Sequence, residues 1–194
     1  MSRLCVFCGS NAGAAPAYAE AAARLGSALA SREIGLVYGG GNVGLMGILA
    51  DSVIAHGGEV IGVIPEFLER AEVAHTGLTE LHVVGSMHER KALMATLADG
   101  FIALPGGFGT MDDLAEALTW TQLGLQCKPV VLLDVDGFWE PLVRFFDAAV
   151  DHGFVRPAHR MLLPRTVTVD DAIALATSPV PDTPHKWLDR DGTR

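Results

Sequence analysis

The chain has 194 residues, of which 49% are hydrophobic and 19% charged, and a formal net charge of −9 at pH 7. That length fits one domain, and the apolar content excludes a disordered polymer. The acidic excess argues against a general nucleic-acid or membrane-surface binder, which needs a basic face, and no run of 18 uncharged apolar residues offers a transmembrane helix.

In chain order, Leu4 to Phe7 reads as a strand that runs into the loop Cys8-Gly9-Ser10-Asn11. Pro16 opens an alanine-rich helix to about Arg32, at a position where its missing N–H does no harm. Gly35 to Tyr38 is a second strand, ending in Gly39-Gly40-Gly41. Gly44 to His56 is a helix that Gly57-Gly58 break, and Glu59 to Ile64 is a third strand that stops at Pro65. Glu66 to Thr79 has no clear period and reads as an irregular connection. Glu80 to Val84 is a strand, Ser86 to Ala98 a helix, Gly100 to Leu104 a strand and Thr110 to Leu123 a helix. Val130 to Asp134 is a strand, Phe138 to His152 a helix, Thr166 to Val169 a short strand and Asp170 to Thr177 a final helix.

From Ser178 the composition turns rich in proline and charge, so residues 1–177 read as one nucleotide-binding domain and 178–194 as a mobile tail. The stretch Met1-Ser2-Arg3-Leu4 does not open a secretory signal, and three cysteines, an odd number, fit a reducing, cytoplasmic setting. Cys5 and Cys8 form a Cys-x-x-Cys, but residues three apart in a strand face opposite sides. They read as buried structural thiols. The seven histidines show no ligand spacing, so no metal is expected.

The alternation of near-continuous apolar strands with helices predicts a parallel sheet covered on both faces, a doubly wound Rossmann-like α/β fold. Ligands of such sheets bind at the carboxyl ends of the strands, and the loops at Gly9, Gly39 and Gly106 all follow strands.

The chemistry concentrates in Leu104-Pro-Gly-Gly-Phe-Gly-Thr110, a strand, glycine loop and helix start in succession. Bare N–H groups and the helix dipole make such a turn an anion site, so a phosphorylated ligand is expected. On the preceding helix Met87, Arg90, Met94 and Leu97 share one face, which turns Arg90 toward the buried stripe. An unpaired guanidinium there is costly, and cations are disfavoured in a first turn. Arg90 and Lys91 therefore suggest either an anion to hold or a salt bridge to a neighbouring carboxylate.

Asp112, Asp113 and Glu116 follow the glycine loop and admit two readings. Thr110 and Asp113 have capping-box spacing; alternatively, a carboxylate is held beside the phosphate for acid, base or electrostatic work. The Gly39 to Gly47 turn fits tight packing as well as nucleotide binding, and the dinucleotide, P-loop and nucleophile-elbow fingerprints are missing.

Together these segments resemble the LOG ("Lonely guy") family of cytokinin riboside 5′-monophosphate phosphoribohydrolases. The likeness lies in Cys8-Gly9-Ser10, Val37-Tyr38-Gly39-Gly40-Gly41, Val43-Gly44-Leu45-Met46-Gly47, Val60 to Pro65, Met87-His88-Glu89-Arg90-Lys91, Pro105-Gly106-Gly107-Phe108-Gly109-Thr110 and Thr119-Trp120-x-Gln122-Leu123-Gly124. The resemblance implies a homodimer or larger assembly, and hydrolysis of a nucleoside 5′-monophosphate to free base and ribose 5-phosphate without a cofactor. It implies a cradle for phosphate and sugar from Gly106, Gly107, Phe108, Gly109, Thr110, Met111 and Asp112. Gly9, Ser10, Arg90, Lys91, Glu72 and Thr119 are its further substrate-binding positions. Its catalytic pair falls on Arg90 and position 113, where this chain carries Asp113 in place of the family's glutamate. That shortened side chain leaves a non-catalytic nucleotide sensor as the alternative. A lysine decarboxylase, a label the family has sometimes carried, would need an aldehyde cofactor bound through a lysine.

Overall fold

The computed structural model describes residues 2–69 and 74–180. Its strands are β1 (Arg3–Phe7), β2 (Gly35–Tyr38), β3 (Val60–Pro65), β4 (Glu80–Val84), β5 (Gly100–Ala103), β6 (Val130–Leu133) and β7 (Arg165–Thr166). The helices are α1 (Pro16–Ser31), α2 (Gly44–Ala55), α3 (Glu66–Glu69), α4 (Met87–Leu97), α5 (Phe108–Gln122), α6 (Glu140–Asp151), α7 (Pro157–Arg160) and α8 (Val169–Ala176). The seven strands form one sheet in the order β4-β3-β2-β1-β5-β6-β7, and each pairing is parallel. The expected doubly wound α/β architecture is thereby present.

Every residue of β2, β3, β5 and β6 is buried. This is why these strands read as unbroken apolar runs: both faces are covered, so no polar face alternates with an apolar one. One half of the core, with Leu4, Val6, Leu25, Leu36 and Leu49, lies beneath α1, α2 and α8. The other, with Phe7, Val37, Ile61, Met94, Leu114 and Trp139, lies beneath α4 and α5. Cys8 belongs to the first half and Cys5 to the second, so the two thiols point to opposite faces of the sheet. All three cysteines are free, and Cys127 alone is exposed. Burial pushes the Cys8 thiol up to about 12 and raises that of Cys5 well above its ordinary value.

The structure departs from the sequence reading where elements are short or rich in glycine. α5 begins at Phe108, two residues before the expected Thr110. Its N-cap is Gly107, so Thr110 does not cap the helix and the capping box, one of the two readings of Thr110 and Asp113, is not formed. The last strand is Arg165–Thr166 rather than 166–169. α3 is a single turn inside the stretch read as irregular, and α7 is a single turn between the expected helix and last strand, where the sequence reading placed no element. The helix expected from Phe138 begins at Glu140, after a turn with Asp136 and Gly137 at positive φ. In that turn the Trp139 amide donates to Asp134 and its indole N–H to the Ala103 carbonyl, at 3.0 and 3.2 Å. These bonds bring the start of α6 close to the end of β5. Of the expected tail, residues 181–194, with Lys186 and Trp187, lie outside the described residues. No helix among the described residues is long and apolar enough to cross a membrane.

Candidate active site

The strand order reverses between β1 and β5. From β1 the chain winds outward through β2, β3 and β4; from β5 it winds the other way through β6 and β7. At such a switch point the loops after the two central strands leave on opposite faces, and a crevice opens between them. Here the two loops are Cys8 to Gly13 and Pro105 to Gly107, and the cleft they flank has a volume of about 440 Å³. They touch at one place, where the Gly9 N–H donates to the Pro105 carbonyl at 3.1 Å. A Cβ on Gly106 would overlap the Thr110 hydroxyl and lie 2.9 Å from the Gly9 nitrogen, and one on Gly9 would lie 3.3 Å from the Gly106 α-carbon. Glycine is required at both positions for the loops to approach each other.

Gly107 and Gly109 differ from that pair. A Cβ on either would meet nothing within 4 Å, so packing within the protein does not demand glycine there. Both line the cleft at the first turn of α5, where backbone N–H groups lack intrahelical acceptors and the helix dipole is positive. Glycine at these positions leaves the donors open to a ligand oxygen. Phe108 stands between them, 96% exposed at the cleft mouth.

Two charged groups close the inner wall. Arg90 is 8% exposed on α4. Its Nε donates to the Val63 carbonyl at the end of β3 (3.1 Å), and its Nη2 to the Gly39 carbonyl just after β2 (3.4 Å). Among the described residues no carboxylate lies within salt-bridge distance of it. The dipole conflict at the start of α4 is eased by Ser86, which accepts from the Glu89 amide, and by Glu89, whose carboxylate accepts from the Gly85 amide.

Asp113 is likewise 8% exposed, on the inward side of α5, and its Oδ1 has no hydrogen-bond partner. Burial raises its carboxyl from 3.8 to about 6, opposed by Arg90 and Lys91 and reinforced by Asp112 and Glu116. A buried acid with an unsatisfied oxygen, facing a cleft, is destabilising to the fold, and such groups concentrate at functional sites.

The other expected site residues divide between the cleft and its surroundings. Gly9, Ser10, Gly106, Phe108 and Thr110 line the cleft with Arg90 and Asp113. Lys91 does not: its ammonium is held by Asp112 at 3.1 Å and Glu116 at 2.8 Å. Burial lowers its pKa, but these two carboxylates outweigh burial and the net shift is upward. Asp112 is thereby tied up on the outer side of α5, and Met111 packs against the core beneath the helix. Thr119 hydrogen-bonds the Ala115 carbonyl, at 2.6 Å, and lines a separate apolar groove with Leu118, Phe146 and Leu163. Glu72 lies outside the described residues.

The sequence reading missed the far wall, formed by Tyr18 of α1 and Phe138 after β6, whose rings meet edge to face at 6.1 Å. Their signal was position: each follows a strand on the carboxyl edge of the sheet, where ligands bind.

Residues 46–176 match the family model described as "Possible lysine decarboxylase". Over 161 residues the chain is 52% identical to cytokinin riboside 5′-monophosphate phosphoribohydrolase LOG7 of Arabidopsis thaliana, across 83% of this chain and 74% of that one. The chain belongs to the LOG family. A rice LOG-family protein (Oryza sativa subsp. japonica), the probable cytokinin riboside 5′-monophosphate phosphoribohydrolase LOGL1, is 48% identical over 171 residues, or 88% of this chain and 77% of its own length. Among solved structures, the molybdenum cofactor carrier protein of Chlamydomonas reinhardtii aligns with a TM-score of 0.66 at 25% identity, over 89% of this LOG-family chain and 94% of the carrier. The molybdenum cofactor binding protein of Rippkaea orientalis aligns with the same score at 23% identity, over 90% and 94%, a likeness of fold.

Proposed function

We propose that this LOG-family chain hydrolyses the N-glycosidic bond of a nucleoside 5′-monophosphate, releasing free base and ribose 5-phosphate. One observation carries the reading. A buried, unsatisfied carboxyl on Asp113 and the guanidinium of Arg90 share a cleft whose glycine-lined wall offers free backbone donors. The names of the relatives, all phosphoribohydrolases of cytokinin nucleotides, support a 6-aminopurine base bearing a prenyl group, with AMP as its plain analogue.

The 5′-phosphate docks at Gly107 to Thr110, where helix donors receive it. The phosphate serves as a handle: its binding energy fixes the sugar so that water meets the right face of C1′. As the C1′–N bond breaks, positive charge builds on the ribose. Asp113, ionised at neutral pH with a pKa of about 6, stabilises that charge and orients or deprotonates the attacking water. Arg90 holds the sugar or phosphate; a guanidinium keeps its protons and is a poor acid for the departing base.

The apolar groove beside Thr119, with Phe145, Phe154 and Met161 exposed nearby in the chain, supports pairing with a second copy. Three unpaired thiols support a cytoplasmic setting. A decarboxylase working through a lysine-bound aldehyde cofactor fits poorly. Lys91 is committed to two carboxylates, and Lys128 bonds the Ala95 carbonyl.

A substrate panel of prenylated AMP, AMP, GMP, CMP and unphosphorylated adenosine, followed by chromatography for free base, tests the proposal. Base should leave the adenine monophosphates and not adenosine. Tight binding with no base released from any nucleotide would establish a sensor instead.

A further inference from the structure

Arg90 does more than lie near Gly39: it occupies the space where a side chain at that position would stand. A Cβ built on Gly39 overlaps Nη2 of Arg90, and the next nearest atom is Met46 Sδ at 3.1 Å. Of the donors on the guanidinium, Nε is spent on Val63 and Nη2 on the Gly39 carbonyl. Nη1 makes a long contact, 3.9 Å, with Met87 Sδ. The group is thus wedged between the ends of β2 and β3, with its plane fixed by two main-chain oxygens and the bare α-carbon of Gly39.

The backbone does not itself ask for glycine at this position. Gly40, the next residue, has a φ of +77°, whereas Gly39 is outside the left-handed region. We propose that Gly39 is a positioning residue for catalysis: the missing side chain is the slot that sets where the Arg90 guanidinium meets the substrate. The inference rests on Arg90 acting as described above. It deepens that reading by assigning a role to the glycine-rich turn after β2, whose sequence alone fitted packing and nucleotide binding equally well.

The geometry makes the test selective. The only atoms a methyl group would strike hard belong to the far end of a flexible side chain, so the backbone is free to stay in place while the guanidinium swings away. A displacement of about 1 Å in a positioned catalytic group lowers rates on the order of a hundredfold. Gly39→Ala should therefore lower kcat for base release from AMP by roughly 10- to 100-fold, with the far-UV spectrum unchanged. A crystal structure of the variant should show Arg90 moved off the Val63 carbonyl. In an Arg90→Lys background the same change should alter kcat less than about threefold, because the slimmer side chain leaves room for the methyl group; non-additivity of this kind is the mark of two residues acting as one.

Wild-type kcat in Gly39→Ala, or an unmoved guanidinium, overturns the inference, as does an equal loss in both backgrounds. If Gly39→Ala does not fold, the Gly39→Ala/Arg90→Ala pair decides. A folded double variant supports the shared space, and an unfolded one overturns it. Full activity in Arg90→Ala alone would sink the role of Arg90 itself, a result the Gly39 variants cannot mimic.

Discussion

Two clusters of charge face each other across α4 and α5, built from nearly the same parts. Arg90 and Asp113 form one; Lys91, Asp112 and Glu116 form the other. Each takes its cation from one turn of α4 and its acids from the opening of α5. In the second, the lysine is matched by carboxylates at 3.1 and 2.8 Å, so the charges cancel locally. In the first, the arginine bonds only main-chain carbonyls and a thioether, and the acid retains an unpartnered buried oxygen. One step along a helix turns a side chain by about 100°, and that step separates an ion-paired cluster from the unpaired arginine and aspartate proposed above to act on the substrate. Charge in a sequence does not reveal which is which; the ion pairs do, since Glu116 Oε2, which like Asp113 Oδ1 accepts no hydrogen bond, sits 2.8 Å from the Lys91 ammonium, and among the described residues no cation comes within salt-bridge distance of Asp113.

The sharpest way to break this contrast is to remove the proposed catalytic pair. Arg90→Ala and Asp113→Asn should each lower base release from a nucleoside monophosphate by on the order of a thousandfold or more, with the fold intact by circular dichroism. Wild-type turnover in either variant would erase the distinction drawn here. Asp113→Glu comes next. It restores the family's reach, and kcat should stay level or rise; a dead enzyme would mean the cleft has been rebuilt around the shorter acid.

Stability offers an independent measure of dissatisfaction. The folded state raises the Asp113 pKa from 3.8 to about 6, so folding favours its neutral form. The stability it supports is fully present below pH 3.8 and is lost as pH rises through about 6. Asp113→Asn should therefore be more stable than the parent at pH 7, by roughly 1–3 kcal/mol, and the gain should fade toward pH 4 in urea titrations. An asparagine variant no more stable at pH 7 than the parent would argue that the acid is well accommodated.

The smallest effect belongs to the satisfied cluster. Lys91→Met should leave kcat at neutral pH within about fivefold, since the lysine does not line the cleft. It removes a charge that lowers the Asp113 pKa and frees two acids that raise it. The acid limb of kcat should therefore move to higher pH, while the limb of Asp112→Asn moves the other way. Because the substrate's own phosphate titrates equally with every variant, only the displacement between them is diagnostic.

Much of the frame was legible in the sequence because its determinants are local. Unbroken apolar runs at Gly35 to Tyr38 and Gly100 to Ala103 admit few alternatives to buried parallel strands, and Gly57-Gly58 stop α2 by composition alone. Arg90 was readable because helical periodicity put a cation on an apolar face. The start of α5 was not, since Gly107-Phe108-Gly109 has loop propensity that packing against β1, β5 and β6 overrides. Asp113 was ambiguous for the same reason: with Thr110 taken as a cap, the acid looked like its capping partner. The pairing of Lys91 with Asp112 and Glu116 links residues 21 and 25 apart, and no local pattern encodes such a meeting. The Tyr18–Phe138 wall joins residues far apart in the chain and appears only once the strand order is known.

The placement of the three thiols has a practical outcome. Cys5 and Cys8 are sealed within the two halves of the core, with ionisation suppressed, while Cys127 faces solvent beyond the end of α5. Thiolate, not thiol, attacks alkylating reagents. A maleimide dye should thus label the native molecule once, at Cys127, and all three sites only after denaturation. The purified protein comes with a single attachment point just past the helix that begins at the glycine loop, ready for following ligand capture by fluorescence.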